Sequence, residues 1–257
     1  PAHLFNSGTF VIGMGFRTIL AFGLLTALAS AACDRNSTTG PSPIPSPNST
    51  INYTAIGASD ALGIGASVFC IPYGDCPNAN GYVHVAARDL RSRGFTVNLN
   101  NLGWPGAVIS RRLQNLGAQY GREILGNFME QEIPFVNPNS TLITIFAGGN
   151  DVNTITSALG GGAGGADRVA YINSQIAAFG EDFAGLLKAI RERVPSARIV
   201  VLNLPNMAAM PFLAGGSRDH RLAAQMLSVG ITGAVFNPLT SSGVLVVDLM
   251  CDARSYQ

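Results

Sequence analysis

A serine stands directly after an alternating apolar run that ends in glycine: Tyr53-Thr-Ala-Ile-Gly-Ala-Ser59, followed by Asp60-Ala-Leu-Gly63. The run reads as a β-strand. A serine just past a strand end sits on a rigid turn with its hydroxyl exposed, where a nucleophile can work. The competing use of the same residue is to cap the helix opened by Asp60. A second polar pair, Asn150-Asp151, follows another apolar run, Leu142–Phe146, through Ala147-Gly148-Gly149. It reads either as a helix cap or as a source of a side-chain amide donor. Acyl transfer through a serine needs a nucleophile, a base to take its proton and donors for the developing oxyanion.

The base is the open position. The chain has three histidines. His3 lies at the extreme N-terminus. His84 falls in a helical pattern and reads as a solvated or core-edge residue. His220, in Ser217-Arg-Asp-His220, opens a helix and reads as solvated. Asp248 and Asp252 are carboxylates near the C-terminus, and neither has a histidine three residues on. Gly160-Gly-Gly-Ala-Gly-Gly165 is not followed by Gly-Lys-Ser/Thr, so a phosphate cradle is excluded. It is expected to be a mobile loop near the mouth of the site.

These residues need a scaffold. From Ile51 onward strands and helices alternate. Ile51–Ile56, Phe95–Leu99, Leu142–Phe146, Arg198–Leu202 and Val244–Leu249 read as strands, while Gly81–Arg93, Tyr171–Arg193 and Leu222–Phe236 read as helices. In Tyr171–Arg193 the residues Ile172, Ile176, Phe179, Phe183, Leu186, Leu187 and Ile190 form one apolar stripe. Short apolar strands separated by helices predict a five-stranded parallel sheet covered on both faces, an α/β/α sandwich. Sites in such sheets form beyond the carboxyl ends of the strands, which is where Ser59 and Asn150 fall.

The chain is 257 residues long, 47% hydrophobic and 12% charged, with net charge +1. That fills a core easily and excludes a polybasic nucleic-acid surface. Residues 1–13 read as an extension upstream of the true start at Met14. Residues 14–33 follow the pattern of an export signal: Arg17, an apolar run over residues 19–28, then Ala29-Ser-Ala-Ala32. Cys33 then stands at a lipobox-like position, so lipidation and plain secretion both remain open. Residues 34–50 are rich in Ser, Thr, Pro and Asn and read as an extended tether. Residues 51–257 form the globular domain. Cys70 and Cys76 enclose a Pro/Gly loop and are expected to form a local disulfide. Cys251 would then be a free, buried thiol. A metal site is the weaker reading, because no second Cys pair or His cluster accompanies them.

The segments Gly57-Ala-Ser59 and Gly148-Gly-Asn-Asp151 resemble the first and third blocks of the SGNH, or GDSL-like, hydrolases. Ala58 replaces the usual acidic residue of the first block, and Asp60 follows instead. Asn101-Leu-Gly-Trp-Pro-Gly-Ala107 is similar to the second block. The resemblance covers residues 51–257. It implies a flavodoxin-like sandwich, no metal and no organic cofactor, and Ser59 as nucleophile. The oxyanion would be held by the Ser59 N–H, the Gly106 N–H (Gly103 as fallback) and the Asn150 amide. The family's late Asp-x-x-His block is not found, which implies a chain cut before its catalytic acid and base. The expected activity is hydrolysis of small acyl or acetyl esters of a carbohydrate or lipid. The expected setting is an exported monomer, either freely secreted or tethered to a membrane through Cys33. The rival is a non-catalytic, surface-tethered binding or structural domain with the same fold.

Overall fold

A computed structural model gives the fold and describes residues 45, 46 and 48–251. The expected signal segment, Cys33, most of the tether and Asp252 lie outside the described residues. Five strands form one all-parallel sheet in the order β2-β1-β3-β4-β5. They are β1 (Thr50–Gly57), β2 (Thr96–Asn101), β3 (Leu142–Phe146), β4 (Arg198–Leu202) and β5 (Leu245–Val247). The helices are α1 (Ser59–Leu62), α2 (Tyr82–Ser92), α3 (Arg111–Gln119), α4 (Phe128–Gln131), α5 (Gly149–Gly160), α6 (Arg168–Arg193) and α7 (Arg218–Ile231).

The register sorts the sheet into two buried faces. Tyr53 and Ala55 pair with Leu142 and Thr144 on one face. That face packs on Val83 and Ala87 of α2. Ile56, Ile143, Ile145, Ile199 and Val201 project from the other face into a cluster with Phe179, Phe183, Leu186 and Ile190 of α6. Helices therefore cover both sides, and the predicted three-layer α/β/α sandwich is the fold. The helical run Arg218–Ser242 is long and apolar enough to span a membrane by composition. Its Ala224, Leu227, Ile231 and Phe236 are instead fully buried in the core, with the Phe236 ring 5.1 Å from that of Phe183.

Several boundaries differ from expectation for identifiable reasons. The long helix starts at Arg168 rather than Tyr171, because the Asp167 side chain accepts the Ala170 N–H and caps it. The helix expected from Leu222 starts at Arg218, capped in the same way by Ser217. Strand β5 stops at Val247 because Asp248 turns the chain, accepting the Cys251 N–H at 3.0 Å. Helix α5 was not expected: it opens on glycine and carries β-branched residues, both poor helix formers. Burial of Val152, Ile155, Ala158 and Leu159 holds it. Its 12 residues carry the chain roughly 18 Å along its axis, so the Gly160–Gly165 loop lies at its far end from Gly149 and not at the site mouth. That loop packs on tyrosines; a Cβ on Gly161 would stand 2.6 Å from the Tyr120 ring.

Cys70 and Cys76 form the expected disulfide. Cys251 is also disulfide-bonded and only half-buried, which corrects the expectation of a free, buried thiol.

Candidate active site

In the strand order 2-1-3-4-5 the chain reverses its direction of growth between β1 and β3, and a crevice opens there beyond the strand ends. Ser59 leaves the end of β1 and Asn150 the end of β3. Both line one cavity of about 460 Å³, with Ala58, Ala107, Phe128, Phe146, Gly148, Gly149, Leu204 and Met207.

The turn that carries Ser59 is tight. A Cβ on Gly57 would lie 3.0 Å from the Ala61 Cβ, and one on Gly103 would lie 3.0 Å from the Ala58 carbonyl. Glycine at these positions lets α1 pack directly on the β1 end and on the loop after β2. The Gly57 carbonyl accepts the Trp104 N–H at 3.1 Å, joining the two segments. Ser59 is the first residue of α1, with Ala58 in the cap position, so its side chain is not the helix cap. Its hydroxyl makes no hydrogen bond to a described residue. It is half-buried at the cavity wall. Its N–H lies in the first helical turn, without an intrahelical acceptor.

Asn150 and Asp151 grip the loop after β2 from the first turn of α5. The Asn150 Nδ2 donates to the Ala107 carbonyl at 3.0 Å, and Asp151 Oδ1 accepts the Ile109 N–H at 2.9 Å. A primary amide has two hydrogens. One fixes the Asn150 rotamer on Ala107, and the second is left for an oxygen in the cavity. Gly148 precedes them with φ +107°, and a Cβ there would stand 3.1 Å from Leu204. Gly148→Ala is expected to cost about 1–3 kcal/mol, seen as a lowered Tm. An unchanged Tm would contradict the tight junction.

The loop contributes less directly than expected. Ala107, not Gly106, lines the cavity. Gly106 has φ +76°, a conformation that glycine adopts without cost. Its N–H engages no described acceptor. Gly103, the fallback, is a packing glycine against Ala58 and Ala61.

No histidine lines this cavity among the described residues. His84 is buried, 1% exposed, which corrects its reading as solvated or core-edge. It sits against the disulfide, and burial lowers its pKa. His220 is half-buried rather than solvated, with Nε2 buried and unpartnered. Asp248 is engaged by the Asn203 Nδ2 at 2.9 Å. The one cluster of possible metal donors among the described residues is Cys70, Cys76 and His84, and its sulfurs are bonded to each other.

Three residues escape sequence reasoning. Asp151 is fully buried and braces the loop. Asn203 accepts the Leu249 and Met250 N–H groups on Oδ1, so it sets the chain after β5. Glu132 is fully buried and accepts the Gly57 N–H at 3.0 Å. A polar residue just past a strand was the only signal for Asn203; Glu132 had none.

Burial pushes the Asp151 carboxyl up to about 7, partly opposed by the Ile109 N–H. The folded state therefore holds a proton that the unfolded chain releases near 3.8. Its contribution is fully present below that value and is lost as pH rises through about 7. Asp151→Asn is expected to match the parent protein at about pH 4 and to exceed it in stability at about pH 8, by up to ~4 kcal/mol. Thermal melts of both proteins across this range check it. A variant less stable at the alkaline end would contradict a protonated Asp151.

No protein-family model matches the chain, and no curated protein sequence matches it. Solved structures do. The chain is similar to an extracellular lipase from Streptomyces rimosus, at 20% identity and TM-score 0.49, over 76% of this chain and 79% of that one. It is similar to a lipase from a goat rumen metagenome, at 20% identity and TM-score 0.48, over 78% and 81%. A third is an SGNH-hydrolase family esterase, at 17% identity and TM-score 0.42, over 84% and 85%.

Proposed function

We propose that this protein is a serine ester hydrolase of the SGNH type acting on small acyl or acetyl esters. The observation that carries the reading is the meeting of Ser59 and Asn150, far apart in sequence, in one cavity at the β1/β3 switch point. Ser59 Oγ attacks the ester carbonyl as a general base takes its proton; the alcohol leaves carrying that proton, and water then splits the acyl-serine to release the acid. The charge that develops on the carbonyl oxygen is met by the Ser59 N–H and the second Asn150 amide hydrogen. Ile64, Phe128, Phe146, Leu204, Met207 and Met210 give the cavity apolar walls suited to an acyl chain. Its volume, about 460 Å³, is in the range of small-molecule sites and favours a short acyl group. Export of a monomer belongs to the same proposal.

Without an imidazole at the cavity among the described residues, the Ser59 hydroxyl stays protonated and attacks poorly. The 257-residue chain is therefore expected to turn over p-nitrophenyl esters at close to the background rate. A chain carried past Gln257 by an Asp-x-x-His block is expected to hydrolyse the acetate and butyrate esters faster than the dodecanoate. That no imidazole lines the cavity among the described residues also supports a second reading, a tethered binding domain. That reading takes over if the extended chain binds short esters without cleaving them.

A further inference from the structure

Directly behind the Ser59 turn the protein buries polar groups that neither the fold nor the proposed chemistry consumes. Glu132 Oε1, Asp60 Oδ2 and Tyr82 Oη are all buried without a hydrogen-bond partner. Glu132 comes from the end of α4, whose Phe128 forms cavity wall and whose start is capped by the Asn127 side chain accepting the Glu130 N–H. Its other oxygen, Oε2, accepts the Gly57 N–H at 3.0 Å. Asp60 approaches the same glycine, since a Cβ on Gly57 would stand 3.1 Å from Asp60 Oδ2. Tyr82 closes the group from α2, its ring 6.0 Å edge-on from Phe146 of the cavity wall. The Gly57 peptide is thus held on its N–H by Glu132 and on its carbonyl by Trp104, two residues before Ser59.

We propose that Glu132 is a positioning residue for Ser59, acting through the Gly57 N–H that it accepts behind the turn. The inference rests on the esterase reading for its kinetic consequence only. Burial pushes Glu132 well above the usual carboxylate range, the Gly57 N–H opposes this and Asp60 adds to it. Burial likewise carries Asp60 up to about 7. Glu132 faces the Gly57 N–H on β1 and Asp60 on α1, and Tyr82 on α2 faces both carboxyls; Tyr53 Oη and Thr144 Oγ1, beside Tyr82, are bonded to each other at 2.9 Å. Ionisation of Glu132 in alkali sets an incompletely partnered charge behind the turn, which disturbs it.

The test uses Glu132→Gln and Glu132→Ala in the full gene product. Glutamine keeps an acceptor for Gly57 and cannot ionise; alanine removes the acceptor. Glu132→Ala is expected to lose 10- to 100-fold in kcat with KM little changed, as a misplaced reacting group does. Glu132→Gln is expected to retain most of kcat at neutral pH and to hold it further into alkali than the parent protein. Amide NMR reads the same device without turnover. The Gly57 and Ser59 N–H signals should titrate together in the parent protein and stay flat in Glu132→Gln. Parent-like kcat in Glu132→Ala, or an unmoved alkaline limb together with flat amide signals in the parent protein, would overturn the proposal. If the protein proves not to hydrolyse esters, the amide titration alone decides it, so the failure of the esterase reading and the failure of this one remain separate.

Discussion

Ser59→Ala is expected to abolish ester turnover in the full gene product, lowering kcat by about 10⁴-fold or more. Removing a nucleophile leaves only what binding and the oxyanion donors provide. The hydroxyl makes no hydrogen bond to a described residue, so its loss leaves no buried partner unsatisfied and the fold should keep its Tm. Steady-state kinetics on p-nitrophenyl butyrate, with a thermal melt beside them, check both halves. An unchanged kcat would remove Ser59 from the chemistry, and His220 with its unpartnered Nε2 would direct the search to another surface.

Asn150→Ala is expected to lower kcat by roughly 10²–10³, or about 3–4 kcal/mol of barrier, with KM changed far less. The reasoning is geometric. One amide hydrogen is committed to the Ala107 carbonyl at 3.0 Å, which aims the other into the cavity without rotamer cost at the moment of reaction. Asn150→Asp separates this from a packing effect, because it keeps the shape and replaces the donor by a charge that repels an oxyanion. It should be at least as inactive as Asn150→Ala. A KM increase with kcat preserved would instead mark Asn150 as a ground-state binding group.

The parts of this molecule that were legible in the chain are those encoded by local pattern. Strands β1, β3 and β4 and helix α6 carry their periodicity on their surfaces, and Asn150 and Ser59 follow strand ends that the pattern marks. What was not legible depends on contacts remote in sequence. Glu130 and Glu132 lie two residues apart in one segment, yet Glu130 makes an exposed ion pair with Arg111 while Glu132 reaches the β1 end, 75 residues away in sequence. Nothing local distinguishes them. The glycine loop was misplaced because α5, poor in helix propensity, was not recognised as a rod that carries the chain away from the cavity. Gly106 was assigned from its loop, whereas the packing of that loop turns Ala107 to the cavity.

The most direct test of the central claim is to locate covalent chemistry. A p-nitrophenyl alkylphosphonate reacts with an activated serine and stays attached, leaving an adduct that mimics the tetrahedral intermediate. Mass spectrometry of the full gene product after this treatment should show one added phosphonyl group, mapped to the peptide carrying Ser59 and missing from Ser59→Ala. An adduct on any other residue, or an active esterase left unlabelled at Ser59, would contradict the assignment of the β1/β3 cavity as the catalytic centre.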